Sequence, residues 1–186
     1  MLFACADSSE TSESLAVTVE SQDRIVSENG ELELTAGTLS IRSVSLVDSE
    51  GAVLLLGPTV IDLAMEEQQV PIEAPVPMGE FTGLRIELAP PAEDADTLHV
   101  QLRTLVGAES VRATSKLSFM GDTFFPEGPR TIAESAELEL HLRLTGMFFY
   151  LAPVTGAVDG LYEAGENERN SLTMDLIGMF DLRVLP

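Results

Sequence analysis

The sequence predicts an all-β fold, a single antiparallel β-sandwich of about nine or ten strands with at most one short helix. Three observations carry this reading. Apolar residues recur with period two along most of the chain, helical periodicity is scarce, and glycine and proline punctuate the runs. Many short strands separated by such turns are the signature of a sandwich or barrel.

The elements follow in order. Leu15, Val17 and Val19 alternate with polar neighbours and form the first strand. Leu39 and Ile41 share one parity, whereas Val44 and Leu46 take the other; the phase change near Ser43 predicts a β-bulge. Asp48-Ser49-Glu50-Gly51 is a run of turn formers before the apolar stretch Val53 to Leu56, so a hairpin is expected there. The helical candidate is Asp62 to Gln69, at most two turns, ended by Pro71. Leu84, Ile86 and Leu88 then oppose Arg85 and Glu87. Leu98, Val100 and Leu102 oppose His99, Gln101 and Arg103.

The clearest strand is Ala136 to Leu144, where Ala136, Leu138, Leu140, Leu142 and Leu144 alternate with Glu137, Glu139, His141 and Arg143. Leucine alone favours helices, but this alternation would smear apolar groups around a helix. Leu172, Met174, Leu176, Phe180, Leu182 and Val184 share a parity and predict the last strand, with Gly178 marking a bulge or bend. Burying each large apolar side chain contributes roughly 1.5–3 kcal/mol, much of it offset by chain entropy. These alternating positions are therefore core rather than ligand site. Residues 1–13 read as a flexible tether and residues 14–186 as one sandwich domain.

Charge narrows the function. The chain of 186 residues holds 31 acidic and 10 basic residues, a net charge of −21, with Lys116 its one lysine. Nucleic-acid backbones require clusters of Lys and Arg, so no nucleic-acid partner is expected. Adsorption to an anionic membrane through basic residues is disfavoured for the same reason. Two readings of the acidity stay open, a self-repelling solvated surface and capture of cations.

The opening, Leu2-Phe3-Ala4-Cys5, resembles a bacterial lipobox, in which a small residue precedes the cysteine. The resemblance implies cleavage before Cys5, lipidation of its thiol, and a basic and apolar signal segment upstream of Met1. Ala6 to Ser14 is rich in serine and acid, too polar to bury a core and suited to a tether. Two or more acyl chains make a stable anchor, at roughly 0.8 kcal/mol per buried methylene. The implied partner is a membrane, reached through lipid, at the extracytoplasmic cell envelope.

Residues 38 to 90 carry a second resemblance. Thr38 to Leu46 leads into Asp48 to Gly51; Ile61-Asp62-Leu63 follows, then Pro77-Met78-Gly79-Glu80-Phe81 opens the next strand. This order is similar to uncharacterised bacterial lipoprotein domains with a prealbumin-like β-sandwich, and to the periplasmic copper-binding proteins associated with methanobactin. The motifs are structural turns, and no ligand residue of the copper proteins maps onto a position here.

Chemistry is sparse. The Gly-x-Ser-x-Gly elbow, phosphate cradles and dinucleotide fingerprints are absent from the sequence. His99 and His141 are its two histidines, both on the polar parity of predicted strands and expected in solvent. Glu139 and His141 share a strand face; with His99 on an adjacent strand they would suit zinc or copper. Asp159 to Asn170 is rich in oxygen ligands, but Ala164 and Asn170 break the calcium-loop pattern, and a solvated hairpin is the simpler reading. Phe124-Phe125-Pro126 and Met147-Phe148-Phe149-Tyr150 either plug the core or form a contact patch. No catalytic residue, metal ligand or cofactor is assigned. The expected function is a non-enzymatic, lipid-anchored binding or structural module with a protein or glycan partner. A periplasmic copper- or calcium-binding protein is the alternative.

Overall fold

Period-two alternation becomes two packed sheets. The computed structural model describes residues 14–20, 25–27, 30–72, 76–104, 110–133, 136–144, 161–163 and 165–185. Cys5, the tether and Met147 to Tyr150 lie outside them. The first strands are β1 (Ser14–Glu20), β2 (Ile25–Ser27), β3 (Gly30–Val47), β4 (Ala52–Leu56), β5 (Thr59–Asp62), β6 (Glu67–Pro71), β7 (Gly79–Phe81) and β8 (Gly83–Leu88). There follow β9 (Leu98–Thr104), β10 (Ser110–Ser115), β11 (Phe119–Phe124), β12 (Arg130–Ile132), β13 (Glu137–Arg143) and β14 (Leu161–Glu163). Helix α1 (Glu166–Asp175), a 3₁₀ turn (Leu176–Met179) and β15 (Phe180–Leu185) complete the chain. The fifteen strands among the described residues exceed the expected nine or ten partly because β2, β7, β12 and β14 are three residues each, too short to show alternation.

The smaller sheet has the order β15-β13-β1-β6. The larger runs β11-β8-β3-β9-β10-β14, with β2, β4 and β5 also paired to β3; β12 and β7 form a separate ribbon. Pairing is antiparallel except for β1 with β13 and β10 with β14. Leu84, Ile86, Leu88, Leu98, Val100 and Leu102 of the larger sheet share one core with Val17, Leu140, Leu142 and Leu182 of the smaller. The fold class is thus all-β and sandwich-like. Among the described residues no helix is long and apolar enough to cross a membrane.

The bulge near Ser43 is present. The β3–β8 register shifts between Ile41 and Ser43, leaving Arg42 as the extra, exposed residue. Leu39 and Ile41 before it, and Val44 and Leu46 after it, are all buried despite opposite parity. The hairpin is present too: Asp48 Oδ1 accepts the Glu50 and Gly51 N–H groups at 2.7 and 2.8 Å, the side-chain turn that Asp supplies.

Two expectations are corrected. Asp62 to Gln69 is not helical. The Gln68 amide accepts the Asp62 N–H at 3.1 Å and donates to the Asp62 carbonyl at 3.0 Å, closing a turn. Beyond it, β6 pairs with β1 and buries Val70 beside Leu15. Strand pairing there overrides the local preference. Conversely, Leu172 to Met179 is not strand but α1 and the 3₁₀ turn, so Gly178 is no bulge. Leu172 and Leu176 are fully buried one helical turn apart, and Met174 between them is 44% exposed.

Gly83 fixes where the edge strand β11 lies. A Cβ there would stand 2.2 Å from the Thr123 carbonyl oxygen, a backbone atom that cannot rotate away. Gly83→Ala is expected to cost about 2–3 kcal/mol through overpacking. The check is the urea midpoint at unchanged m-value; a midpoint equal to wild type would show that β8 and β11 tolerate a wider approach.

Candidate functional site

The outward residues of β1, β13 and β15 form a polar layer on the smaller sheet. Register sets His141 opposite Thr18 on one side and Asp181 on the other, Arg143 opposite Glu20, and Glu139 opposite Arg183. Two ion pairs follow this grid, Arg143 Nε at 3.5 Å from Glu20 Oε2 and Arg183 Nη1 at 3.6 Å from Glu139 Oε1, and His141 Nε2 reaches diagonally to Glu20 Oε2 at 3.2 Å. Arg130, arriving from β12, places Nη1 at 2.9 Å from Asp181 Oδ1.

His141 departs from expectation. It is on the outer face as parity requires, yet only 2% exposed. Ionised Glu20 has only acceptors to offer, so Nε2 carries the proton in the neutral ring. Nδ1 then keeps a lone pair and has no hydrogen-bond partner. Burial pushes the imidazole below its ordinary value, and nearby Arg183 and Arg143 add to this, against the opposing pull of Glu20 and Glu139. Asp181 behaves differently. Burial alone would raise its carboxyl, but the Arg130 guanidinium and the Leu182 N–H hold it below the usual range.

Beside this layer the two sheets leave a groove of about 350 Å³ between the end of β11, the 3₁₀ turn and β15. Phe124, Pro126, Met179 and Phe180 supply an apolar wall, and Arg143 and Asp181 an ionic edge. The Phe124-Phe125 pair divides its labour. Phe125 is buried, with the Arg130 guanidinium 4.4 Å from its ring centroid, while Phe124 is 70% exposed on the groove. Phe125 thus plugs the core, and Phe124 does not. An apolar wall with an ionic edge is the kind of lining that small-molecule sites share.

The other candidates do not converge. His99 lies on β9 of the larger sheet, its strand neighbours being Thr38 and Thr114, so it is not paired with the strand of His141. Among the described residues no three His, Cys, Asp or Glu side chains are grouped to hold a metal. Of the oxygen-rich stretch, Leu161 to Glu163 is β14, and Glu166 to Asn170 begins α1 rather than lying in a loop. Helical geometry points successive side chains about 100° apart, away from a common centre. Sequence reasoning missed Asp181, Arg130 and Met179. Asp181 was legible only through the β13–β15 register, which no local pattern gives.

The depressed His141 value has a pH signature. The folded state disfavours the imidazolium, so the contribution is complete above the unfolded value near 6.5. It is lost as pH falls through the folded value. The stability difference between wild type and His141→Gln is expected to shrink or reverse on going from pH 7.5 to pH 5, by at most about 1.4 kcal/mol per pH unit. Urea melts of both proteins at both pH values test this. Parallel pH dependence would show that His141 does not titrate differently on folding.

No family model and no curated protein matches this chain. Among solved structures the chain is similar to MbnP from Methylosinus trichosporium, at 8% identity and a TM-score of 0.44, over 94% of this chain and 99% of that one. At that distance neither ligand nor partner carries over.

Proposed function

We propose that this protein is a non-enzymatic envelope lipoprotein, anchored through Cys5, whose sandwich binds a glycan in the groove beside Phe124. The observation that carries the binding reading is the 70% exposure of Phe124 next to the Arg143–Asp181 edge. A sugar ring presents a face of C–H groups that stacks on an aromatic ring, and a rim of hydroxyls. Those hydroxyls donate to Asp181 and accept from Arg143. Asp181, held below the usual carboxylate range by Arg130, stays ionised at neutral pH, which suits recognition better than proton transfer. His141, the ring with a free nitrogen, does not line the groove.

One observation favours a second reading, copper binding in the periplasm. Glu20 holds His141 Nε2 and leaves Nδ1 as a buried lone pair, the arrangement in which a carboxylate orients a ligating imidazole. Calcium binding loses support, because Glu166 to Asn170 is helical.

Two measurements test the proposal. Expressed with its native upstream sequence, wild type is expected in the membrane fraction at the mass of a chain cleaved before Cys5 and acylated, and Cys5→Ser without that mass. An unmodified wild type overturns the anchor. On an array of bacterial envelope glycans, Phe124→Ala is expected to weaken binding about tenfold, the equivalent of roughly 1.4 kcal/mol of lost stacking. Absence of any glycan ligand, or equal binding by the variant, overturns the glycan reading. Copper titration with loss in His141→Gln would then favour the second.

A further inference from the structure

The basic residues of this chain are outnumbered threefold by acids, and most are paired. Arg42, Arg85, Arg103, Arg130, Arg143 and Arg183 each meet a carboxylate. Among the described residues Lys116, Arg169 and Arg112 form no ion pair. Two of these three, Lys116 and Arg169, line one pocket of about 370 Å³ between the end of β10 and the first turn of α1. Arg112 precedes it on β10. Asp96 and Glu166 line the same pocket, and yet they pair with neither cation. Opposite charges held around one cavity without closing on each other leave a space that a ligand of both signs fills.

The pocket is also pre-arranged. Ser115 is 2% exposed; its hydroxyl accepts the Leu117 N–H at 3.1 Å and donates to Asn170 Oδ1 at 3.3 Å. The Asn170 amide oxygen is the acceptor of this bond, so Ser115 does not occupy its NH₂ group. Thr97 N–H donates to the Ser115 carbonyl at 2.7 Å, which pins the chain where β10 delivers Lys116. Arg169 is set by its own backbone: its N–H donates to Gly165 and its carbonyl accepts the Thr173 hydroxyl at 2.9 Å. Thr114 adds a hydroxyl to the wall.

We propose that this pocket is a second ligand site, separate from the Phe124 groove, for a small zwitterion bearing one carboxylate and one ammonium. Lys116, Arg169 and the Asn170 amide receive the carboxylate through charge-assisted hydrogen bonds. Asp96 and Glu166 receive the ammonium. Because the ligand has no net charge, the acidic surface does not repel it on approach.

The test uses the full chain, ¹⁵N-labelled, and a series of unbranched ω-amino acids from glycine to 6-aminohexanoate. Acetate and propylammonium serve as single-charge controls. One chain length is expected to shift the amides of Ser115 to Leu117 and Glu166 to Asn170 at saturation, at least about tenfold more tightly than either control. Lys116→Gln and Arg169→Gln are each expected to weaken it about tenfold. The double variant Asp96→Asn/Glu166→Gln is expected to weaken the amino acid while leaving acetate unchanged or tighter. Lys116 and Glu166 are exposed and Asp96 and Arg169 half-buried, and unchanged amide spectra elsewhere confirm that the variants fold. The proposal is overturned if no member of the series shifts these amides, if acetate binds as tightly as the best amino acid, or if the double variant binds as wild type does.

Discussion

Strand β3 is hydrogen-bonded to five others, and the position of nearly everything in the larger sheet follows from it. An ordinary strand has five or six residues; β3 has eighteen, about 60 Å if straight. Twist accumulates over such a length, and every backbone donor along it needs a partner. The strand meets both demands by changing partners. Its first half pairs with β2 and β9 and its second half with β4 and β8, with β5 between. Register shifts at Leu34/Ala36, Ile41/Ser43 and Val44/Ser45 accompany those changes. The extra residue Arg42 inverts the parity, so the residues on both sides of it face the core. It also sets β8, onto which Gly83 admits β11, and β11 ends at Phe124. The exposed ring of the groove thus sits on a strand whose register runs back through β8 to β3.

What was legible in the sequence is what one sheet face sorts. Leu84-Ile86-Leu88, Leu98-Val100-Leu102 and Leu138-Leu140-Leu142 are buried as their alternation requires, because each lies in a strand with the core on one side. The same rule failed at Leu172 and Leu176. A spacing of four fits two strand repeats and about one helical turn alike, so those two positions could not choose. Met174 chose: a strand would bury it with them, and it is exposed. At Asp62 to Gln69 the failure was of another kind. The outcome rests on pairing with β1, some fifty residues earlier in the chain, which no local window contains.

The site was less legible than the fold, and for a physical reason. Parity assigns a side chain to a face but does not say whether that face meets water. His141 is on the polar side of β13 and is nonetheless buried, held by Glu20 from a strand more than a hundred residues away. Asp181 and Arg130 meet only through tertiary structure. The Phe124-Phe125 pair was visible as a feature. Which ring faced out depended on the β11 edge and on Arg130, whose guanidinium serves both Phe125 and Asp181.

Electrostatics then limits what either pocket takes. At a net charge of −21 the surface repels anions over about a Debye length, roughly 8 Å at physiological salt. The cations that would counter this are largely neutralised in ion pairs, including Arg143 on the groove edge and Arg130, which holds Asp181. An anionic ligand would approach the groove against the field and find the groove's arginine already engaged. A neutral sugar feels no such penalty, and its affinity comes from stacking and hydroxyl contacts that salt does not screen. Lys116 and Arg169 are the exception, unpaired and held in one pocket, but Asp96 and Glu166 stand beside them and a simple anion meets both signs. A zwitterion meets each sign with its opposite. The two sites thus share one property imposed by the whole chain: neither favours a simple anion.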